Sequence, residues 1–316
     1  MTPTVMGGTP STPDLRVSVG GMELRNPIIA ASGTFAYGVE FEDVVHLDRL
    51  GGLVVKGLSA EPMTGNPPPR LYETAAGMLN AIGLQNIGAQ AFIDEKLPAL
   101  REKQNVVVIA NIFGYTRADY ERSIEILNQG EGIAAYELNV SCPNTSHGGI
   151  QFGSDPHLLD EVVRTTKRVA ARPLIVKLSP NVTSIALMAH VAEEAGADAI
   201  SLVNTFLAMA IDAETRRPRI ANVTAGLSGP AIKPIALRMV YDAAHAVRIP
   251  VIGMGGITTP ADVVEFMLAG ASAVQVGTAS FFDPVASEKL VEQLSEYCSE
   301  HRIERLCDLT GGLLTD

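Results

Sequence analysis

The amino-acid sequence predicts an α/β fold, a single (β/α)8 barrel of the TIM type with an N-terminal hairpin and long inserts after strands 2 and 6. Three observations predict it. Eight short strand-like runs alternate with helical patterns along a chain of 316 residues. Several of these runs are apolar and β-branched without alternation, as expected of a parallel sheet buried on both faces. The two intervals that break the rhythm both follow a strand, which is where barrel enzymes build their sites.

Residues 1–13 are rich in Thr, Pro and Gly and lack the basic start and apolar core of a signal peptide, so they read as a disordered tail before one domain spanning 14–316. Leu15 to Leu24 alternates apolar and polar around Gly20-Gly21, a hairpin signal. The eight strand-like runs are Pro27 to Ala31, Leu53 to Lys56, Asn105 to Asn111, Ala134 to Val140, Leu174 to Leu178, Ala199 to Asn204, Pro250 to Gly253 and Ala273 to Val276. Helical periodicity is clearest in Asp119 to Asn128, Asp155 to Ala171, Ser184 to Ala195, Ile232 to Val247, Pro260 to Ala269 and Pro284 to Ser299. The inserts, Gly57 to Asn86 and Thr205 to Ser228, are too long for ordinary strand-to-helix loops and are expected to roof the same pocket.

Composition narrows the function. A net charge of −11 argues against a broad nucleic-acid footprint and leaves small molecules as the ligands. Three widely spaced cysteines, Cys142, Cys298 and Cys307, do not make a disulfide framework and suit a reducing cytoplasm. They are also too few to hold an iron–sulfur cluster by four thiolates. No apolar run reaches the length of a membrane span. The six histidines show no paired ligand spacing, so no metal is expected, and only His147, in the loop beside Cys142, stands near candidate chemistry.

In a barrel the residues that close each strand face one another across its mouth. Here they are Ala31-Ser32-Gly33, Lys56-Gly57, Asn111, Asn139 with Cys142, Lys177, Asn204-Thr205, Gly255-Gly256 and Gly277-Thr278. Lys56 and Lys177 each end an apolar run, so both are partly buried and need an anion. The glycine turns after strands 7 and 8 are where barrels commonly bind phosphate through backbone N–H groups. Cys142 sits between the amides Asn139 and Asn144 at a strand end closed by Pro143. An isolated Cys is most often packing, but one flanked by amides and a glycine-rich loop fits a base or nucleophile.

Five segments, Asn80 to Asn86, Leu138 to Asn144, Val176 to Asn181, Gly226 to Pro234 and Ile252 to Gly256, resemble the class 1 dihydroorotate dehydrogenases, most closely the catalytic subunit of class 1B. The resemblance runs from about Asp14 to the closing Leu309-Thr310-Gly311-Gly312-Leu313. It implies one FMN per chain, held by Ser32, Lys56, Gly57, Asn111, Asn139, Lys177, Val203 and Gly229, with its phosphate on Gly255, Gly256, Gly277 and Thr278. It implies a dihydroorotate site formed by Lys56, Asn80, Ala81, Ile82, Gly83, Leu84, Asn139, Asn144, Asn204 and Thr205, with Cys142 as the base and the loop Thr145 to Phe152 as a closing flap. The resemblance further implies NAD as acceptor, reached through a partner subunit carrying FAD and an iron–sulfur cluster, in a heterotetramer built on a homodimer of this chain. Two other readings stay open. The class 1A enzymes use fumarate without a partner, and a flavin-free aldolase could form a Schiff base on Lys177. One departure concerns Ala225, where the family often has glycine. It would cost of order 1 kcal/mol if the position needs a positive φ.

Overall fold

The computed structural model describes residues 12–315 apart from 104, 142 and 145–149. Most of the tail expected over 1–13, and with it Cys142 and His147, therefore lies outside the described residues.

Eight parallel strands close into a barrel in chain order: strand 1 Ile28–Ala30, strand 2 Gly52–Val54, strand 3 Val108–Ile112, strand 4 Ile133–Asn139, strand 5 Leu174–Lys177, strand 6 Ala199–Leu202, strand 7 Val251–Met254 and strand 8 Ala273–Val276. Each coincides with an expected run. Most are buried along their whole length because helices cover the outside and side chains fill the inside.

The helices start where local chemistry can satisfy their first N–H groups. Thr116 and Asp119 form a capping box on Arg117–Leu127, and Thr259 and Asp262 form another on Pro260–Leu268. Asp155 caps Pro156–Val169 and Ser184 caps Ile185–Glu194. The helices expected last, Lys233–Ala246 and Ala286–Glu300, are both present.

A further helical stretch, Ala89–Glu102, joins the first insert to strand 3 and was not legible as a helix. Its middle, Phe92–Lys96, is wound as a π-helix just before Pro98. Proline supplies no N–H and crowds the preceding turn, so the wider turn absorbs what would otherwise be a helix break.

The hairpin is as expected, Val17–Val19 against Met22–Leu24 with Val19 opposite Met22. Gly20 and Gly21 both have positive φ, the conformation a two-residue turn of this hand requires. Gly20 packs on Asp198 and Ala199 at the start of strand 6, so the hairpin covers the end of the barrel away from the strand C-termini.

At the opposite end the two inserts form one antiparallel sheet. Leu71–Thr74 and Gly77–Asn80 come from the first insert, and Phe206–Met209 and Thr224–Ser228 from the second. The seam between them pairs Asn80 with Gly226 and Met78 with Ser228. A small core of Leu79, Ile220 and Ala225 backs this sheet. Both inserts thus roof the same barrel mouth, as their lengths suggested. No helix among the described residues is long and apolar enough to cross a membrane.

Candidate active site

Under the roof, at the C-terminal ends of the strands, lies a cavity of about 320 Å³, within the range of small-ligand pockets. It is lined from the barrel by Ser32, Lys56, Gly57, Asn111, Asn139, Lys177, Val203, Asn204 and Thr205. The roof adds Asn80, Ala81, Ile82, Gly83 and Leu84, and the phosphate-type turns add Gly229, Gly255, Gly256, Gly277 and Thr278. Every residue the sequence assigned to binding is therefore on this one surface, Asn144 apart, whose side chain lies outside the described ones. That residue sits in a two-residue strand, Pro143–Asn144, paired with Ile150–Gln151. Cys142, the expected base, falls outside the described residues.

The roof segment is held from behind. Asn66 accepts no part in the cavity but donates its backbone N–H to the Ile82 carbonyl at 2.9 Å and its amide to the Ala81 carbonyl at 3.1 Å. Gly83 and Leu84 take positive φ, and a Cβ on Gly83 would meet Asn66 at 2.4 Å, so only glycine fits there. At the seam, a Cβ on Gly226 would lie 2.1 Å from the Thr205 hydroxyl oxygen. Ala225 is not among the positive-φ residues and buries its methyl in the roof core. The glycine constraint in this motif thus falls on Gly226, and alanine at 225 carries no backbone strain.

The amides on the barrel rim are ordered by their neighbours. Asn204 donates from its amide nitrogen to Asn139 Oδ1 at 3.1 Å and to Ser141 Oγ at 2.9 Å, while its own oxygen accepts from the Thr205 N–H at 2.9 Å. Asn139 Oδ1 also accepts from the Ser141 N–H at 3.3 Å. With that oxygen occupied, Asn139 has its NH2 edge left to offer a ligand carbonyl.

Lys56 has no acidic partner among the described residues. Burial, with the charges of Arg70 and Lys177 added, pushes its ammonium below the ordinary lysine range. An anion entering the cavity would offset the two like charges and give the buried ammonium a partner. Lys177 differs, since its buried ammonium lies 3.7 Å from Glu137 Oε1.

The turns after strands 7 and 8 leave backbone donors available. Gly255 and Gly256 have positive φ, and their N–H groups, with that of Thr278, make no backbone bond among the described residues. A Cβ on Gly256 would sit 2.8 Å from the Gly229 carbonyl oxygen. Behind this turn Lys233 is tied to Asp262 and, at 2.7 Å, to Glu265, and Asp262 accepts the N–H groups of Thr258 and Thr259, each at 2.8 Å. Thr278 is fixed by its hydroxyl, which donates to Ser228 Oγ at 2.8 Å.

Sequence reasoning missed the polar floor. Glu137 is completely buried inside the barrel and is reached by Asn111, Ser201 and Gln275. The available signal was a Glu, a Ser and a Gln set within otherwise apolar strand runs. Elsewhere, His190, Glu193 and Glu194 bring ligand-type atoms within 4.8 Å of one another at an exposed helix end, but Glu193 already accepts the N–H groups of Arg248 and Ile249.

Fold and cavity define a (β/α)8-barrel enzyme whose mouth presents two lysines, a set of amides and phosphate-type turns to one small ligand space. Residues 14–298 match the family model for dihydroorotate dehydrogenase. A protein of Solibacter usitatus (strain Ellin6076), provisionally named dihydroorotate dehydrogenase A (fumarate), is 61% identical over 96% of this chain and 99% of its own. The "Dihydroorotate dehydrogenase B (NAD(+)), catalytic subunit" of Citrifermentans bemidjiense is 54% identical over 95% of this chain and 98% of its own. The protein of the same name from Geotalea uraniireducens (strain Rf4) is 54% identical over 96% and 99%. The chain belongs to the dihydroorotate dehydrogenase family and is an oxidoreductase of that family, for which a flavin is the cofactor class. Its kinship with the class 1B catalytic subunits, drawn above from the motifs, is borne out by these relatives.

Proposed function

We propose that this chain is an FMN-binding catalytic subunit that oxidises (S)-dihydroorotate to orotate in pyrimidine biosynthesis. The observation that carries the reading is Lys56: an enclosed ammonium without an acidic partner among the described residues, facing a cavity rimmed by amides. Dihydroorotate offers the complement, a carboxylate for the lysine and imide N–H and C=O groups for the amides.

FMN also fits the residues present. The glycine turns offer unengaged N–H donors to a phosphate, and Gln275, whose side chain lines the cavity, keeps a buried Oε1 with no hydrogen-bond partner among the described residues. When bound, FMN supplies the acceptor for the hydride leaving C6 of the substrate. Ser32, Gly57, Asn111, Val203 and Gly229 would line it, and Gly255, Gly256, Gly277 and Thr278 would hold its phosphate. Lys177 would supply positive charge at the pyrimidine edge of the ring system.

The other steps belong to the protein's own groups. Lys56 holds the substrate carboxylate. Asn80, Asn139, Asn144, Asn204 and Thr205 orient the ring through its imide, and Ala81 to Leu84 exclude water from above. The Cys142 thiolate takes the C5 proton. A thiol is the better base there because serine, with its far higher pKa, would need stronger activation.

For the acceptor we infer NAD, reached through a separate subunit carrying FAD and an iron–sulfur cluster, with two such partners on a homodimer of this chain. The names of the Citrifermentans and Geotalea relatives support this. Fumarate remains the second reading, favoured by the 61% identical Solibacter relative. Either way the test is the anaerobic visible spectrum of the FMN-loaded chain. Dihydroorotate should bleach the flavin band, and Cys142→Ala should abolish the bleaching. A bound flavin that stays oxidised overturns the substrate. Fumarate reoxidising the bleached chain without a partner would replace NAD with fumarate.

A further inference from the structure

TIM-barrel interiors are ordinarily filled by layers of branched apolar side chains drawn from alternate strands. Under this cavity one layer is polar. Glu137 of strand 4, Ser201 of strand 6 and Gln275 of strand 8 meet at the barrel axis, and Asn111 and Lys177 reach them from strands 3 and 5. A fully buried carboxylate is costly unless its oxygens are saturated. Here they are. Oε1 accepts from the Asn111 amide at 2.7 Å and lies 3.7 Å from the Lys177 ammonium, while Oε2 accepts from the Ser201 hydroxyl at 2.9 Å and the Gln275 amide at 2.5 Å.

A carboxylate only accepts, so each amide facing it must present its NH2 and turn its carbonyl oxygen elsewhere. For Gln275, whose side chain lines the cavity, that leaves Oε1 buried and unpartnered among the described residues. For Asn111 it leaves Oδ1 beside Gly57, where an added Cβ would come within 2.9 Å of it. The anion thus decides what the cavity floor shows a ligand, one acceptor and one ammonium, and which way the Gln275 amide is turned.

We propose that Glu137 is a positioning residue that turns the carbonyl oxygen of Asn111 toward the ligand, fixes the orientation of the Gln275 amide and holds Lys177 at the floor, and so sets how strongly the site prefers oxidised over reduced flavin. The proposal rests on the FMN reading above. A buried negative charge and an outward acceptor both disfavour added electron density in the bound ring. Glu137→Gln removes the charge and forces a neighbouring amide to turn its NH2 into the cavity, so both effects favour the reduced cofactor.

The experiment uses the full chain loaded with FMN. In Glu137→Gln the reduced cofactor should be held about ten-fold more tightly relative to the oxidised one, a midpoint potential raised by about 30 mV for a two-electron couple. Ser201→Ala deletes a donor to the same carboxylate without touching the cavity, and should lower the melting temperature while leaving the potential in place. An unchanged potential in Glu137→Gln, or an equal rise in Ser201→Ala, overturns the proposal. Should Glu137→Gln not fold, Gln275→Met serves instead. It should weaken FMN binding about ten-fold in a folded protein, and unchanged affinity would be equally fatal. Failure of the wild type to bind FMN sinks the flavin reading itself, whereas a wild type that binds and variants that match it sink only the role of Glu137.

Discussion

Replacing Lys56 by Met keeps most of the length of the side chain and removes its charge. Burial and two like charges already hold that ammonium below the lysine range, so the wild-type site carries an unfavourable charge until an anion arrives. A charge-assisted hydrogen bond to a ligand carboxylate is worth about 1.5–3 kcal/mol, so Lys56→Met should raise the orotate dissociation constant about 10- to 150-fold. Titration of orotate into the FMN-loaded protein, followed by the flavin band, measures this. The pH dependence has a definite sign. Only the ammonium binds the carboxylate, so wild-type affinity should fall as pH rises through the lowered Lys56 value, before an ordinary lysine would titrate. The free protein should do the opposite. Between the lowered folded value and the ordinary one the unfolded chain binds more protons, so stability rises with pH across that window. Lys56→Met should lose both trends. Orotate affinity within about three-fold of wild type, less than a single charged hydrogen bond is worth, would refute the carboxylate assignment.

Three other outcomes follow from the same geometry. Cys142→Ser should retain FMN while slowing flavin bleaching by dihydroorotate about 10²- to 10⁴-fold near neutral pH, the range lost with a general base, as read by anaerobic stopped flow. Gly226→Ala must push Thr205 away from a contact of 2.1 Å, so it should cost about 1–3 kcal/mol in denaturant unfolding and weaken orotate binding; Ala225→Gly next door should lose only about 1 kcal/mol. Gly256→Ala combines a φ of 75° with a Cβ 2.8 Å from a carbonyl oxygen, so FMN should be lost from a purified, folded barrel, as checked by absorbance and circular dichroism.

The barrel was legible because unalternating apolar runs such as Leu174 to Leu178 have no other stable home than a sheet covered on both faces. The rim was legible because a lysine or an amide that closes such a run faces the mouth. What stayed hidden was chemistry carried by single polar residues inside the runs. Glu137 and Gln275 stand on strands 4 and 8, 138 positions apart, and only closure of the barrel brings them to 2.5 Å. The helix from Ala89 to Glu102 was masked by Pro98, which periodicity reads as a break and the chain absorbs with a wider turn. At the roof the sequence raised its question about Ala225, one residue away from the glycine that sterics require.

The seam between the two inserts joins Asn80 to Gly226, positions on opposite sides of the middle of the chain. During synthesis the first insert emerges long before its partner in the second, and Gly77–Asn80 has only its own neighbour Leu71–Thr74 to pair with until strand 6 and the segment beyond it have been made. The ligand space is consequently among the last parts of the molecule to be assembled, and a truncated chain ending before Thr224 would lack half the lid along with strands 7 and 8 and their glycine turns. Uptake of a coloured cofactor during translation would then mark the moment at which distant halves of the polypeptide first meet.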